Sequence, residues 1–296
     1  MRPVTIKVSP APAGAKAKED PARFSIPIKS TKQLLSAAGG DRTTTLVTLD
    51  LASYPFVQYS PGDHLVVYPE NSPKVPRRSA RRCFVIMPSC CSTDLAQCTP
   101  TALTHGARRA DRADAAAVQV VAEVAQNLGL NAEMLDSLFV LDAIEPNGPE
   151  PFPTPIAYRD AIAHYLDLDA TPSPVALAVF ADCIAAGDPT AAEKLHKLAG
   201  SSTDYQKWVA TEQPRWRDIW NLCPPLAGRL PIGRLFELCP ATAPRYYSIS
   251  SSLMATPGEV AITVGQLAYQ LADGRKRKVR MPPRLLQRRE LSEGVR

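Results

Sequence analysis

The spacing of apolar residues changes twice along this chain, and that switch restricts its fold more than any other feature. Phe24, Ile26 and Ile28 recur at every second position, as do Val47, Leu49 and Leu51 within Thr45–Leu51. A period of two sends successive side chains to opposite faces, so both stretches read as half-buried strands. Tyr59–Pro69 reads as a turn at Pro61-Gly62 leading into a further strand. From Ala115 the period is helical: Val118, Val121, Val124 and Leu128 share one face, and Gly129 supplies a stop. Strand spacing returns at Glu259–Gly265.

Helical signals fill the interval. Asn131 is placed to cap a short helix through Leu138, and Thr154 to cap one that Pro155 opens and that runs to about Leu166. Thr171-Pro-Ser-Pro174 starts another through Leu177, Phe180 and Ile184, ending near Gly187. Shorter helices are expected over Ala191–Leu198 and Tyr205–Val209, and a further one around Trp216, Ile219, Trp220 and Leu222. Gly39-Gly40-Asp41 and Asp273-Gly274 read as turns.

With 296 residues, 45% of them hydrophobic, the chain can bury the core of one or two globular domains. The net charge of +5 is mild and sits largely in two local runs, which argues against a nucleic-acid partner. There is no apolar run of the roughly 18 residues that a membrane span needs. Met1–Asp20 has no apolar signal core and is rich in Ala, Pro and Lys, so residues 1–22 read as a disordered lead. Seven cysteines, an odd count without a secretory signal, indicate reduced thiols and a cytoplasmic setting.

Ligand-binding chemistry is densest in Ala243-Pro-Arg-Tyr-Tyr-Ser-Ile-Ser-Ser-Ser252. In a strand, Arg245 and Tyr247 share a face, so a guanidinium could grip a phosphate bidentately while the ring lies on a flat heterocycle. Ser248 adds a hydroxyl able to reach a ring nitrogen. An edge strand with packed tyrosines and solvated serines fits the same residue types equally well.

The stretch resembles the FAD signature of the diflavin reductases, the NADPH-dependent haemoprotein reductases among them. The resemblance implies Arg245 on the FAD pyrophosphate, Tyr247 stacked on the isoalloxazine, Tyr246 in the same cofactor-binding stretch, and Ser248 near flavin N5 as the catalytic residue. It also implies that Thr263, Val264 and Gly265 lend backbone groups to FAD, with Tyr269 at the adenine side. Pro61-Gly-Asp-His64 resembles the family's first barrel strand, in its usual place upstream; His64 itself reads as a packing residue. Tyr158–Leu168 and Thr171–Pro174 resemble its helical connecting region, where His164 and the tryptophans read as core. Arg215 and Arg217 lie near an additional FAD-contacting arginine of some relatives, but the register fits neither.

The fold so implied is α+β: an antiparallel flavin-binding β-barrel of the ferredoxin-reductase type with a large helical insertion. Residues 23–72 would open the barrel, 115–240 form the helical connecting subdomain, and 241–278 complete the barrel. Residues 73–114 interrupt the resemblance with Arg77, Arg78, Arg81, Arg82, Arg108, Arg109 and Arg112, and with Cys83, Cys90, Cys91 and Cys98. The cysteine spacings make a poor metal site, and the segment reads as a disordered basic insertion. A patch docking an acidic electron-transfer partner is the sharper reading of the same charge. After Lys278 the family continues into a phosphate-binding helix N-terminus, whereas 279–296 is a basic, proline-containing tail.

What the resemblance implies functionally is an oxidoreductase passing electrons from NADPH through FAD to FMN and a haemoprotein acceptor. Only the FAD station is recognisable in these residues, so the FMN-containing domain and the acceptor are implied partners, and turnover by this chain alone is expected to be impaired. The alternative is a non-catalytic FAD-binding remnant or interaction module.

Overall fold

A computed structural model of the chain describes residues 6–18, 24–35, 42–55, 57–71, 82–86, 115–142, 151–270, 274 and 276–281. Ten strands run in chain order: β1 (Lys7–Pro10), β2 (Phe24–Leu35), β3 (Arg42–Asp50), β4 (His64–Tyr68), β5 (Arg82–Ile86), β6 (Leu138–Asp142), β7 (Ile156–Ala157), β8 (Arg245–Ser248), β9 (Glu259–Gln270) and β10 (Lys276–Met281). The helices are α1 (Ala115–Asn127), α2 (Ala132–Asp136), α3 (Tyr158–His164), α4 (Pro174–Ile184), α5 (Pro189–Gly200), α6 (Ser202–Glu212), α7 (Ile219–Leu222) and α8 (Ile232–Leu238). Among the described residues every strand pair is antiparallel, so the fold is α+β. The chain separates into two compact units, one within 1–19, 70–77 and 110–243, the other within 20–69, 78–109 and 244–296.

The helical unit is built where the apolar spacing said it would be, with corrections at its edges. Gly129, at φ +75°, ends α1 in the left-handed conformation that a Cβ disfavours. Asn131 caps α2, its side-chain oxygen accepting from the Met134 N–H at 2.8 Å, but the helix stops at Asp136 and Leu138 begins β6. Ser173 caps α4 by accepting from the Ala176 N–H at 3.2 Å, with Pro174 at the first helical position. Thr154 does not cap a helix. The Thr154–Pro155 bond is cis, Ile156 and Ala157 pair with Phe139 and Leu138, and α3 begins only at Tyr158.

Packing around Phe139 organises this unit. Its ring is fully buried, stacked at 4.2 Å on Tyr158 and at 5.2 Å on Phe236, with Phe152 edge-on at 6.1 Å. The fully buried Trp216 meets Phe180 edge-on at 5.3 Å, which is the core role expected for the tryptophans. Asn71 is a buried polar residue closing the end of α3. Its amide donates to the carbonyls of Ile162 at 2.6 Å and Leu166 at 2.5 Å, while its backbone N–H reaches the Ala163 carbonyl. Carbonyls at a helix end lack partners within the helix, and Asn71 supplies them.

The expectation of a disordered lead fails for Ile6–Lys18. Lys7–Pro10 pairs with Phe139–Asp142 to extend the β6–β7 sheet, and Ile6 and Val8 pack on the helical core. The Ile6 N–H donates to the Glu237 carboxylate, which also takes a 2.7 Å ion pair from Arg234. An Ala/Pro/Lys-rich composition hid two apolar side chains, Ile6 just before a four-residue strand and Val8 within it, a stretch too short for the alternation to register.

The second unit is a seven-stranded sheet in the order β10-β9-β3-β2-β5-β4-β8. Ile26, Leu49, Leu65, Val260 and Ile262 form its core, the inward residues of the alternation. Ser60–Asp63 makes the turn before β4: the Asp63 N–H donates to the Ser60 carbonyl at 3.0 Å, with Gly62 at φ +94° after Pro61. β10 and β8 stand at the two ends of this order, and the pairing of the described residues does not define a closed barrel. One antiparallel bridge, Ile249↔Ile262, nevertheless ties the chain just after β8 to β9. Within 73–114 the described residues form β5, paired to both β2 and β4, where the sequence pattern offered no strand. Cys90, Cys91, Cys98 and most of the arginines lie outside the described residues, as do Gly39–Asp41 and 282–296. Val279–Met281 continues β10 against Gly265–Leu267.

Two tests follow from the helical unit. A Cβ at Gly233 would stand 2.5 Å from the Ile6 carbonyl oxygen, a backbone atom that cannot swing aside. Gly233→Ala should therefore lower unfolding free energy by about 1–3 kcal/mol in urea denaturation; unchanged stability would contradict the docking of β1 on α8. Burial pushes the Cys239 thiol well above its ordinary pKa, with the nearby Asp167 carboxylate adding to the shift. Cys239 should resist a thiol reagent until the chain is unfolded, read by mass spectrometry of labelled peptides.

Candidate functional site at the β8–β9 junction

Strand β8 presents the residues of the Arg-Tyr-Tyr-Ser stretch unequally. Tyr247 is 3% exposed and packs in the core of the second unit with Leu65, its cross-strand partner. Tyr246 points the other way and is 52% exposed, and Ser248 is exposed beside it on the same face. Arg245 and Tyr247 do fall on one face, as alternation requires. As folded, however, the accessible ring of the pair belongs to Tyr246.

Arg245 is half-buried, and among the described residues its guanidinium makes no hydrogen bond or ion pair. The contrast with other half-buried arginines is informative. Arg215 and Arg217 both hold the Asp169 carboxylate at 2.8 Å, and Arg234 holds Glu237. A half-buried guanidinium keeps several donors in need of acceptors, and among the described residues those of Arg245 have none.

The serines after β8 divide into two groups. Ser250 donates its N–H to the Ala261 carbonyl at 2.8 Å, and its hydroxyl donates to the same carbonyl at 3.1 Å. Ser251 Oγ accepts the Ala261 N–H at 2.8 Å and lies 2.7 Å from the Tyr59 hydroxyl, which donates to the Glu259 carbonyl at 2.7 Å. Both backbone groups of Ala261 are thus held by serine groups of the motif, and the buried Tyr59 hydroxyl completes the network. These hydroxyls are structural. Sequence reading missed Tyr59, although it stands at the head of the Tyr-Ser-Pro-Gly-Asp-His segment.

Ser248 is different. Its hydroxyl faces His64 Nε2 at 3.4 Å across the β4–β8 pair, in direct register.

On β9, Thr263 and Val264 occupy a gap, among the described residues, along the edge facing away from β3. Ile262 carries the last contact toward β8, and Gly265 the first pair with β10. Tyr269 is half-buried further along, opposite Arg277. No helix among the described residues is long and apolar enough to cross a membrane. The described residues also contain no group of three or more His, Cys, Asp or Glu side chains able to hold a metal ion.

Comparison with known proteins points the same way as the motif. A family model described as FAD binding domain matches residues 116–279. The NADPH–cytochrome P450 reductase of Rattus norvegicus is 30% identical over 244 residues, covering 81% of this chain and 28% of its own length. Those of Mus musculus and Homo sapiens are each 36% identical over 163 residues, 54% of this chain and 23% of theirs. The chain spans about a quarter of the length of these curated relatives.

The division of the serines is directly testable. Ser251→Ala leaves the Ala261 N–H and the Tyr59 hydroxyl each short of a partner and should cost about 1–3 kcal/mol of stability. Ser252→Ala, whose hydroxyl holds nothing among the described residues, should change it by less than about 0.5 kcal/mol. Equal effects in chemical denaturation would refute the structural role of Ser251.

Proposed function

The chain belongs to the FAD binding domain family, and from that membership we propose that it is the FAD module of an NADPH-dependent diflavin oxidoreductase. In this reading the second unit is the family's flavin-binding barrel, its strand ring completed at the Ile249↔Ile262 bridge. The first unit is its helical connecting subdomain. The observation that carries the reading is Arg245: a half-buried guanidinium without a partner among the described residues, at the head of an exposed tyrosine and serine. A pyrophosphate meets its need for charge and for two acceptors at once.

The residues present fit the cofactor. Arg245 would hold the pyrophosphate, and Tyr246 offers the accessible ring for a flat heterocycle. Ser248 brings a hydroxyl to the same strand face. Tyr247 would stack on the isoalloxazine only if its packing opens, and otherwise fixes the strand from within. The backbone of Thr263 and Val264 lines the gap on β9, Gly265 borders it where β10 pairs, and Tyr269 lies farther toward the adenine end. Bound FAD supplies hydride and electron chemistry; the chain's own part is to grip, orient and tune it.

NADPH as donor, FMN as the next carrier and a haemoprotein as acceptor belong to the reading as partners of this module, joined to it or separate. Curated relatives named NADPH–cytochrome P450 reductase support that direction of electron flow.

The test is the visible spectrum of the purified 296-residue chain after incubation with FAD and desalting. Wild type should retain flavin absorbance, and Arg245→Ala should bind FAD at least about tenfold more weakly, the expected loss of a charged hydrogen-bonding group. A folded but colourless wild type, or undiminished binding by the Arg245 variant, would overturn the reading.

A further inference from the structure

We infer that His64 is a positioning residue for Ser248: from the neighbouring strand, its imidazole sets which way the Ser248 hydroxyl proton points. The inference rests on the FAD reading, because it gives that hydroxyl an outward task.

Four observations carry it. His64 and Ser248 are direct cross-strand partners, so their side chains leave the sheet on the same face. Their Nε2 and Oγ atoms stand 3.4 Å apart, long for a finished hydrogen bond but within the range from which such contacts tighten when a site is loaded. Ser248 and His64 have no other side-chain partner among the described residues, whereas the hydroxyls of Ser250 and Ser251 are held by β9 and Tyr59. The start of β4 is also pinned. The Asp63 carbonyl accepts the Ile249 N–H at 2.7 Å, and its carboxylate accepts the Ser60 N–H at 2.8 Å, which fixes the backbone from which the imidazole projects.

The chemistry follows from counting protons. A hydroxyl has one donor and can accept two bonds, and a neutral imidazole donates or accepts at Nε2 according to its tautomer. With hydrogen on Nε2, His64 donates to Ser248 Oγ and frees the hydroxyl proton for an acceptor beyond the sheet. With hydrogen on Nδ1, His64 accepts that proton, and Oγ is left to receive an N–H from outside. The pair can therefore match a ring nitrogen that is an acceptor in one redox state and an N–H donor in the other, without moving a heavy atom. A serine alone would have to rotate its proton unaided.

The deciding experiment is nitrogen-15 NMR of the imidazoles of the full chain at about pH 8.5, roughly two units above the ordinary histidine pKa. The sequence has four histidines, so the His64 signals are identified by their loss in His64→Gln. Ser248→Ala should shift the His64 ring nitrogens toward a different tautomer ratio; unchanged signals would overturn the inference. FAD affinity gives a second readout. His64→Ala should weaken binding about fivefold, His64→Gln should stay within about twofold of wild type, and adding His64→Ala to Ser248→Ala should cost little more. Additive losses would contradict a shared unit. Should wild type fail to bind FAD, the FAD reading falls, while the imidazole signals still decide whether His64 and Ser248 are coupled.

Discussion

Ala261 is the residue on which the β8–β9 junction depends, because both of its backbone groups are taken up by the two serines that follow Ile249. Past the end of β8 there is no strand to continue the ladder, and a bare backbone edge at the core would leave amides without partners. Ser250 and Ser251 stand in for the missing strand, and the Tyr59 hydroxyl secures Ser251 while holding the Glu259 carbonyl. Each net hydrogen bond contributes only about 1 kcal/mol, yet leaving a buried group unsatisfied costs about 1–3. The network therefore acts mainly by making any slip of β8 along β9 expensive. A fixed register is what keeps Arg245, Tyr246 and Ser248 in a defined place.

That arrangement separates two jobs within eight residues. Tyr247, Ile249, Ser250 and Ser251 bind the motif to its own unit, whereas Arg245, Tyr246 and Ser248 keep groups that, the Ser248–His64 contact apart, have no partner among the described residues. The pairing habits of the other arginines make the point most clearly: where a half-buried guanidinium serves the fold, it has a carboxylate within 2.8 Å. Arg245 has none among the described residues, and an isolated half-buried charge is a standing cost unless something outside the chain answers it.

Much of the fold was legible because period and punctuation agreed. Val121 and Val124 are buried where helical spacing put them, Gly129 has the positive φ its position asked for, and Ser173-Pro174 opens α4 as a capped helix should. What was not legible depended on partners distant in sequence. β1 exists because Phe139–Asp142 offers it an edge, β7 because Leu138 and Phe139 do, and the end of α2 is set by β6 rather than by a local stop. At the site, residue types named the chemistry but could not say which tyrosine faces outward. They also gave no hint that two of the serine hydroxyls are structural, since that is decided by Tyr59 and Ala261, which lie elsewhere in the chain.

The cofactor cradle we propose at the β8–β9 junction is held in register by its serines. Hydrogen exchange of the folded chain, with and without saturating FAD, tests it most directly. FAD should slow exchange in peptides covering residues 245–252 and 259–265 together, because one ligand would span both strands. Protection confined to some other part of the chain, or no change in either stretch while FAD is demonstrably bound, would contradict it.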